Sequence, residues 1–398
     1  MRHRRKESVV SEREVWDVVV VGAGPAGASA ARVAAEAGGR VLLLERAGLP
    51  RYKTCGGGLI GSSQAFLPEG LDVEIHDEID AVTFGLDGRR VRTMASTGDV
   101  RCKMVFRDEL DAALTRLAAE AGATVRDRTA VARIEDGDGV VDLRTATGDL
   151  VRTRALVGAD GSASRVGRHI GVSCEQVDLA LEVEVPVDRR VASRWRGRML
   201  MEWGPLPGSF GWVFPKGDIC TAGVVAAKGQ GEATKAYLRE FLGRHELGHL
   251  TPLHDTGHLT RCRRPDSPLA RNRVLVAGDA AGLGDPWSRE GISFALRSGT
   301  WAGAAAVRLA RAEDEPGRER AREGYVTAVS STLGAEMRAS RRIMDIFTRR
   351  PGLFHTALTG VPPVWRRVDS YLGGRTTIPD LVGTPVARAA LKTIDFLL

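Results

Sequence analysis

Apolar residues follow three rhythms along this chain. Short unbroken runs at 18–21, 41–44 and 274–277 have the character of parallel strands buried on both faces. An alanine-rich stretch over 25–37 predicts a helix that Gly38 and Gly39 stop. Over 107–121, Leu110, Ala113, Leu114, Leu117 and Ala118 recur at helical spacing. Alternation over 80–105, with turn signals at Asp87-Gly88 and Gly98-Asp99, predicts antiparallel strands. Two more strands are expected near 124–134 and 140–145, about a hairpin turn at 136–139. A strand beginning at Leu156 leads into a small-residue turn that ends at Arg165. Residues 180–226 read as a second, mixed sheet and 233–246 as a helix. The strand at 274–277 returns to the first sheet, with its helix at 291–311, and the chain after Pro316 is mostly helical. Residues 51–62 read as a glycine-rich loop and 1–15 as a disordered basic tail.

A chain of 398 residues, 43% of them hydrophobic, can bury two domains or one large composite one. The formal charge of +7 is scattered rather than gathered in runs with aromatic residues, which argues against a nucleic-acid partner. Two exceptions are the basic cluster at 2–6 and the C-terminal third. There Arg338, Arg341, Arg342, Arg349, Arg350, Arg366 and Arg367 sit among apolar residues. That mixture suits either an anionic membrane surface or a solvated helical face. Cys55, Cys102, Cys174, Cys220 and Cys262 show neither disulfide nor zinc spacing, so no metal site and a reducing, cytoplasmic compartment are expected, with contact at the inner face of the membrane as an extension of that reading. Arg4-Arg5 is not followed by an apolar export segment, and no stretch is long and apolar enough to span a bilayer.

Gly22, Gly24 and Gly27 follow a strand and open a helix. The first permits the tight turn, the second lets backbone approach a pyrophosphate, and the third lets helix pack on strand. The helix start offers N–H donors to phosphate. Glu45 closes the next strand, where a carboxylate can accept bonds from ribose hydroxyls. No other glycine fingerprint follows a strand, so a second dinucleotide site is absent from the pattern. Gly278-Asp279 follows the third buried run, either as a ligand-binding turn or as an ordinary helix cap. Phe210, Trp212 and Phe214 alternate on one side of a strand ended by Pro215-Lys216, as an apolar wall or a plain core stripe.

Taken together these segments resemble the FAD-dependent reductases and hydroxylases of the aromatic-hydroxylase type. Three segments make the resemblance specific to geranylgeranyl reductases: Pro50-Arg51-Tyr-Lys53-Thr-Cys55-Gly56-Gly57-Gly58-Leu59, then Phe210-Gly-Trp212-Val-Phe214-Pro215-Lys216-Gly217, and Asp285-Pro286-Trp-Ser-Arg-Glu290-Gly291-Ile292. The resemblance covers residues 17–310. It implies an α/β fold: a Rossmann-like FAD-binding domain (16–79, 106–175 and 265–320), an inserted mixed-sheet substrate domain (80–105 and 176–264) and a C-terminal helical region (321–398). It implies that FAD contacts Gly22, Gly24, Ala26, Gly27, Glu45, Arg46, Cys55, Gly56, Gly58, Arg107, Val131, Asp160, Asp279, Gly291 and Ile292. Phe210, Trp212 and Phe214 would line the substrate, with Cys55 and Trp212 placing it for reaction. Cys55 is open to three readings: substrate or flavin placement, proton delivery, or an inert buried thiol.

The resemblance further implies saturation of carbon–carbon double bonds in a prenyl lipid, prenyl diphosphate or terpenoid, with NADPH or a ferredoxin as external electron donor. A flavin monooxygenase of hydroxylase or halogenase type is the alternative, and a non-enzymatic prenyl carrier a third. The third segment departs from the family pattern, with Asp285 for asparagine and Arg289 for glycine, and Arg289 is expected to put a cation near the flavin pocket. No histidine or acid declares itself the proton donor, and His169 and His258 look isolated.

Overall fold

The computed structural model describes residues 15–96 and 101–383. The unbroken apolar runs build its eight-stranded sheet. The path runs β17 (Ala270–Arg271), β18 (Val274–Val276), β11 (Leu150–Gly158), β1 (Val15–Val21), β2 (Val41–Leu44) and β8 (Thr124–Arg126). The four central pairings are parallel with β2–β8 included, and Val18 to Val20 and Leu42 to Leu44 have no exposed surface. Such strands must be apolar on both faces because helices cover both. A hairpin of β9 (Val131–Asp136) and β10 (Val141–Thr145) joins this sheet through β11. Helix α1 (Pro25–Glu36) packs against α3 (Arg107–Glu120) and α7 (Ile292–Arg311), and α8 (Glu315–Ser331) backs α7. Short α4 (Arg165–Ile170) follows β11.

The seven-stranded sheet runs β16 (His254–Arg263), β12 (Cys174–Pro186), β15 (Ile219–Ala227), β14 (Phe210–Lys216), β13 (Arg198–Trp203), β5 (Ala81–Leu86) and β6 (Arg89–Ala95). All its pairings are antiparallel except β5–β13. Val183, Val185, Val213 and Val224 face α5 (Arg189–Trp195) and α6 (Gly231–Arg244). The opposite face carries Phe84, Met199, Trp203, Phe210 and Trp212, which pack with residues of α9 (Leu333–Arg349), α10 (Pro351–Gly360) and α11 (Pro362–Leu372). Helix α12 (Ile378–Gly383) packs on α9. The architecture is the expected α/β class, with a nucleotide-type sheet, a mixed second sheet and a helical C-terminal region.

Several local expectations are corrected. Within the expected 51–62 loop, β3 (Gly58–Ile60) is followed by the single helical turn α2 (Gly61–Gln64). Strand β3 joins β7 (Cys102–Met104) and β4 (Asp77–Ile79) in a third sheet. That sheet straddles the boundaries expected at 80 and 105, because Ile79, Cys102 and Met104 bury their side chains in one apolar cluster there. The single strand expected at 124–134 is two strands, since Arg128 takes a left-handed φ of 49° and turns the chain. Val15 opens β1 rather than closing the tail. The rest of that tail and the Gly98-Asp99 turn lie outside the described residues.

Candidate functional site

The first glycine turn is built for close approach. Gly22 has φ of +103°, and a Cβ on Gly27 would stand 1.7 Å from the Gly22 carbonyl oxygen. Helix α1 begins at this turn with Gly24 as its N-cap and no capping side chain, so its first N–H groups point outward. Three charged groups ring Gly24. Arg107 clasps Asp111 with two 3.0 Å bonds, and Arg51 Nη1 stands 3.1 Å from Asp111 Oδ2. Asp111 is fully buried. The buried Nη1 of Arg51 has no aligned hydrogen-bond acceptor. Glu45 accepts from the N–H groups of Ala23 (2.9 Å) and Ala47 (3.0 Å) and lies 3.4 Å from Arg51. Two arginines at an uncapped helix start, one with a donor to spare, fit a pyrophosphate.

The distant turn meets the first one. A Cβ on Gly278 would lie 3.0 Å from that of Ala26, and one on Gly291 would lie 3.6 Å from Asp279 Oδ1. Ile292 is buried just beyond, as the first residue of α7. Asp279 is not a helix cap. Its carboxylate stands 3.5 Å from His258, which also meets Lys53 (3.2 Å) and Ser162 (3.5 Å). Burial pushes the Asp279 carboxyl up, but His258, Lys53 and Arg107 outweigh it and hold it below its ordinary range. Burial, and then Arg107, lower the Lys53 ammonium. His258 is therefore not isolated, as its sequence neighbours suggested. It arrives from β16 of the other sheet. His169 answers to the blander reading, with an ion pair to Asp136 at 3.0 Å.

Residues 52–58 lie across the inner face of the seven-stranded sheet. Tyr52 stacks on His254 (3.8 Å between rings), Thr54 donates to Thr256 (2.9 Å), and the Cys55 N–H donates to Glu182 Oε1 (2.9 Å). A Cβ on Gly56 would sit 2.6 Å from the Phe214 ring and 3.6 Å from Trp212 Nε1, so only glycine lets the loop reach this wall. Glu182 is 1% exposed. Burial pushes its carboxyl up to about 7, Glu184 adds to the rise, and Lys216 opposes it. Lys216 stands 3.5 Å from Glu184, and both are buried.

From Phe214 the aromatic wall continues through Trp212 and Phe210, at 6.4 and 6.1 Å between successive rings. The same apolar cluster takes in Trp203, Phe347, Phe354 and Trp365 from beneath the C-terminal helices. The structure redirects Arg289. It adopts a φ of +59°, a conformation natural to the glycine it replaces. Its guanidinium pairs with buried Asp178 (3.0 Å) and covers the Phe210 ring at 5.4 Å. The carboxylate therefore neutralises the cation at the Phe210 end of the wall.

Of the remaining expected contacts, Val131 opens β9 two residues after Thr129, whose N–H donates to the Glu45 carbonyl (2.8 Å). Arg46 is exposed beside Glu45. Asp160 spends its carboxylate on its own turn, accepting from Ser164 and from the Arg165 N–H (2.6 Å). Gly58 faces the third sheet. Arg51, Lys53, Asp111, Glu182 and His258 were missed. Arg51 and Lys53 lie inside the segment from Pro50 to Leu59 and were within reach of a sequence argument. Glu182 and His258 were not, because strand pairing alone brings them in. Among the described residues, Glu74, His76 and Glu109 bring ligand atoms within 4.8 Å at the surface, a grouping that ion pairing accounts for.

Residues 15–303 match the family model described as FAD binding domain. The chain is 31% identical to digeranylgeranylglycerophospholipid reductase of Methanospirillum hungatei JF-1, over 72% of this chain and 75% of that one. It is equally 31% identical to menaquinone reductase of Mycolicibacterium smegmatis, over 71% and 74%. A solved geranylgeranyl bacteriochlorophyll reductase-like protein from Thermoplasma acidophilum superposes with a TM-score of 0.74 at 22% identity, covering 93% of this chain and 98% of that one.

Proposed function

The chain belongs to the geranylgeranyl reductase family of FAD-dependent flavoproteins, and from that premise we propose that it saturates carbon–carbon double bonds of a prenyl chain. One observation carries this reading: the Cys55-Gly56 segment is pressed on an aromatic wall with a buried carboxyl, Glu182, bonded to its backbone. Reduced FAD, when bound, supplies the hydride. Arg51, Arg107 and the start of α1 hold its pyrophosphate, and Asp279 and Glu45 take hydroxyls of its sugar chains. Phe210, Trp212 and Phe214 bind the prenyl chain and exclude water.

Hydride addition to one alkene carbon leaves the other in need of a proton. Glu182 holds that proton near neutral pH, and Cys55 places the reacting bond above it. The electron donor is NADPH or a ferredoxin. A substrate of this class is a prenyl lipid, quinone, diphosphate or terpenoid, and the lipid and quinone cases would bring the protein to the inner face of a membrane.

The test is anaerobic. Protein loaded with FAD and reduced with dithionite is given a geranylgeranyl substrate, and mass spectrometry follows the gain of two hydrogens per bond. Product without oxygen supports the reading. Product only with oxygen overturns it in favour of a monooxygenase.

A further inference from the structure

The basic residues of the C-terminal helices take no part in the site above. Segment 333–372 holds seven arginines and three acids, Glu336, Asp345 and Asp369. Two of the acids turn inward. Glu336 is buried against Arg297 (2.8 Å), and Asp369 against Arg101 (2.7 Å). Arg338, Arg342, Arg349, Arg350 and Arg366 are left exposed. Asp345 is the one exposed acid of the segment.

Between Arg350 and Arg366, α10 and α11 form a helical hairpin. Its outward surface carries Leu353 (50% exposed) and Val361 (42% exposed), with Pro362 and Pro363 exposed beside Val361. Its inward surface carries Phe354, Leu358 and Trp365, which belong to the apolar cluster that contains Trp212. Arg90 of β6 reaches Gly352 and extends the cationic rim.

We propose that the α10–α11 hairpin docks on an anionic lipid bilayer, with Leu353 and Val361 entering the headgroup–acyl boundary and the adjoining Arg349, Arg350 and Arg366 resting on lipid phosphates. Charge complementarity selects this occupant, since exposed apolar residues on a hairpin bordered by Arg90, Arg349, Arg350 and Arg366 match a layer with anionic heads over apolar tails. The docking rests on the surface alone. Only its use, to admit a prenyl chain to the aromatic wall, rests on the proposed reaction.

The experiment is co-sedimentation of the full-length FAD-loaded protein with vesicles of phosphatidylcholine, alone or with phosphatidylglycerol. Binding should rise with phosphatidylglycerol and fall with salt. Arg349→Gln combined with Arg350→Gln should weaken it about thirtyfold, on the basis of roughly fivefold per arginine. Leu353→Ser should weaken it further at fixed lipid charge. FAD content and turnover of a detergent-dispersed substrate should stay at wild-type values in these variants, which separates lost docking from lost folding. Equal binding to both vesicle types, or binding indifferent to the substitutions, overturns the proposal. So does a lipid-free self-association that the substitutions abolish, because a second copy would then cover this face. A protein that binds vesicles normally but reduces no prenyl substrate would keep the docking and sink the proposed reaction.

Discussion

The two large sheets contribute to one site by opposite means. The eight-stranded sheet works through backbone: a turn that tolerates no Cβ, an uncapped helix start and an aspartate on a nearby turn, all at the ends of parallel strands. The seven-stranded sheet works through side chains on its inner face, where Glu182, Glu184, Trp212, Phe214, Lys216 and His258 come from three strands. The first design is local and geometric, and a small steric change breaks it. The second is long-range and chemical, and removing one functional group can alter it while the fold persists.

The sharpest contrast comes from adding one methyl group to the first sheet. A Cβ at Gly27 would meet the Gly22 carbonyl at 1.7 Å, and backbone there cannot yield without moving β1 away from α1. Gly27→Ala should cost about 3 kcal/mol or more and yield protein without flavin. The ratio of flavin to protein absorbance and a thermal melt measure both. Normal flavin content would mean the turn is not built as described.

The matching test on the second sheet keeps the shape and removes the proton. Glu182→Gln should keep FAD bound and lower kcat by about a hundredfold to ten-thousandfold. The wild-type rate should be level below pH 7 and fall above it as Glu182 ionises. The raised carboxyl also gives stability a definite slope. The folded chain holds this proton up to about 7 while the unfolded chain releases it near 4.5, so stability falls as pH rises between those values and levels off above them. Glutamine removes that slope, which urea titrations at several pH values would detect. A wild-type slope in the variant would assign the titration to another group.

Trp212→Ala addresses the wall itself. Trp212 is nearly buried, and its ring lies where a Cβ on Gly223 would come within 2.4 Å. Truncation should destabilise the fold by about 3 kcal/mol and raise KM for a prenyl substrate by roughly 10- to 200-fold. FAD affinity, read by fluorescence quenching, should change little. Equal losses of both would reduce the stripe to core.

The same contrast decides what the sequence could reveal. The β1–α1–β2 unit and Gly278-Asp279 were legible because each signal is a short string whose spacing is the geometry. The aromatic wall was legible for a similar reason, since alternation puts three rings on one side of β14. Glu182 was not. The alternation from Leu181 to Val185 reads as a strand with one wet face, yet the loop at 52–58 covers that face and buries its acids. The chain neighbours of His258 announce nothing, because its partners Lys53, Ser162 and Asp279 lie far away in sequence. Arg289 was read by its charge alone, because nothing nearby in the chain announces Asp178 as its partner.

Asp111, on α3 beside the first glycine turn, gives the most discriminating test, because its effect should depend on whether FAD is bound. In sequence it is an ordinary helical partner of Arg107, four residues away. In the fold it is fully buried and holds both Arg107 and Arg51 beside Gly24. Asp111→Asn leaves two cations without their shared carboxylate and should destabilise the protein without flavin by about 3 kcal/mol. If those arginines face the pyrophosphate, bound FAD supplies replacement negative charge, so the loaded protein should lose less. The variant should then gain more in Tm from saturating FAD than the wild type does. Equal losses with and without FAD would mean that Arg51 and Arg107 serve only the fold, and the phosphate site would have to rest on the start of α1 alone.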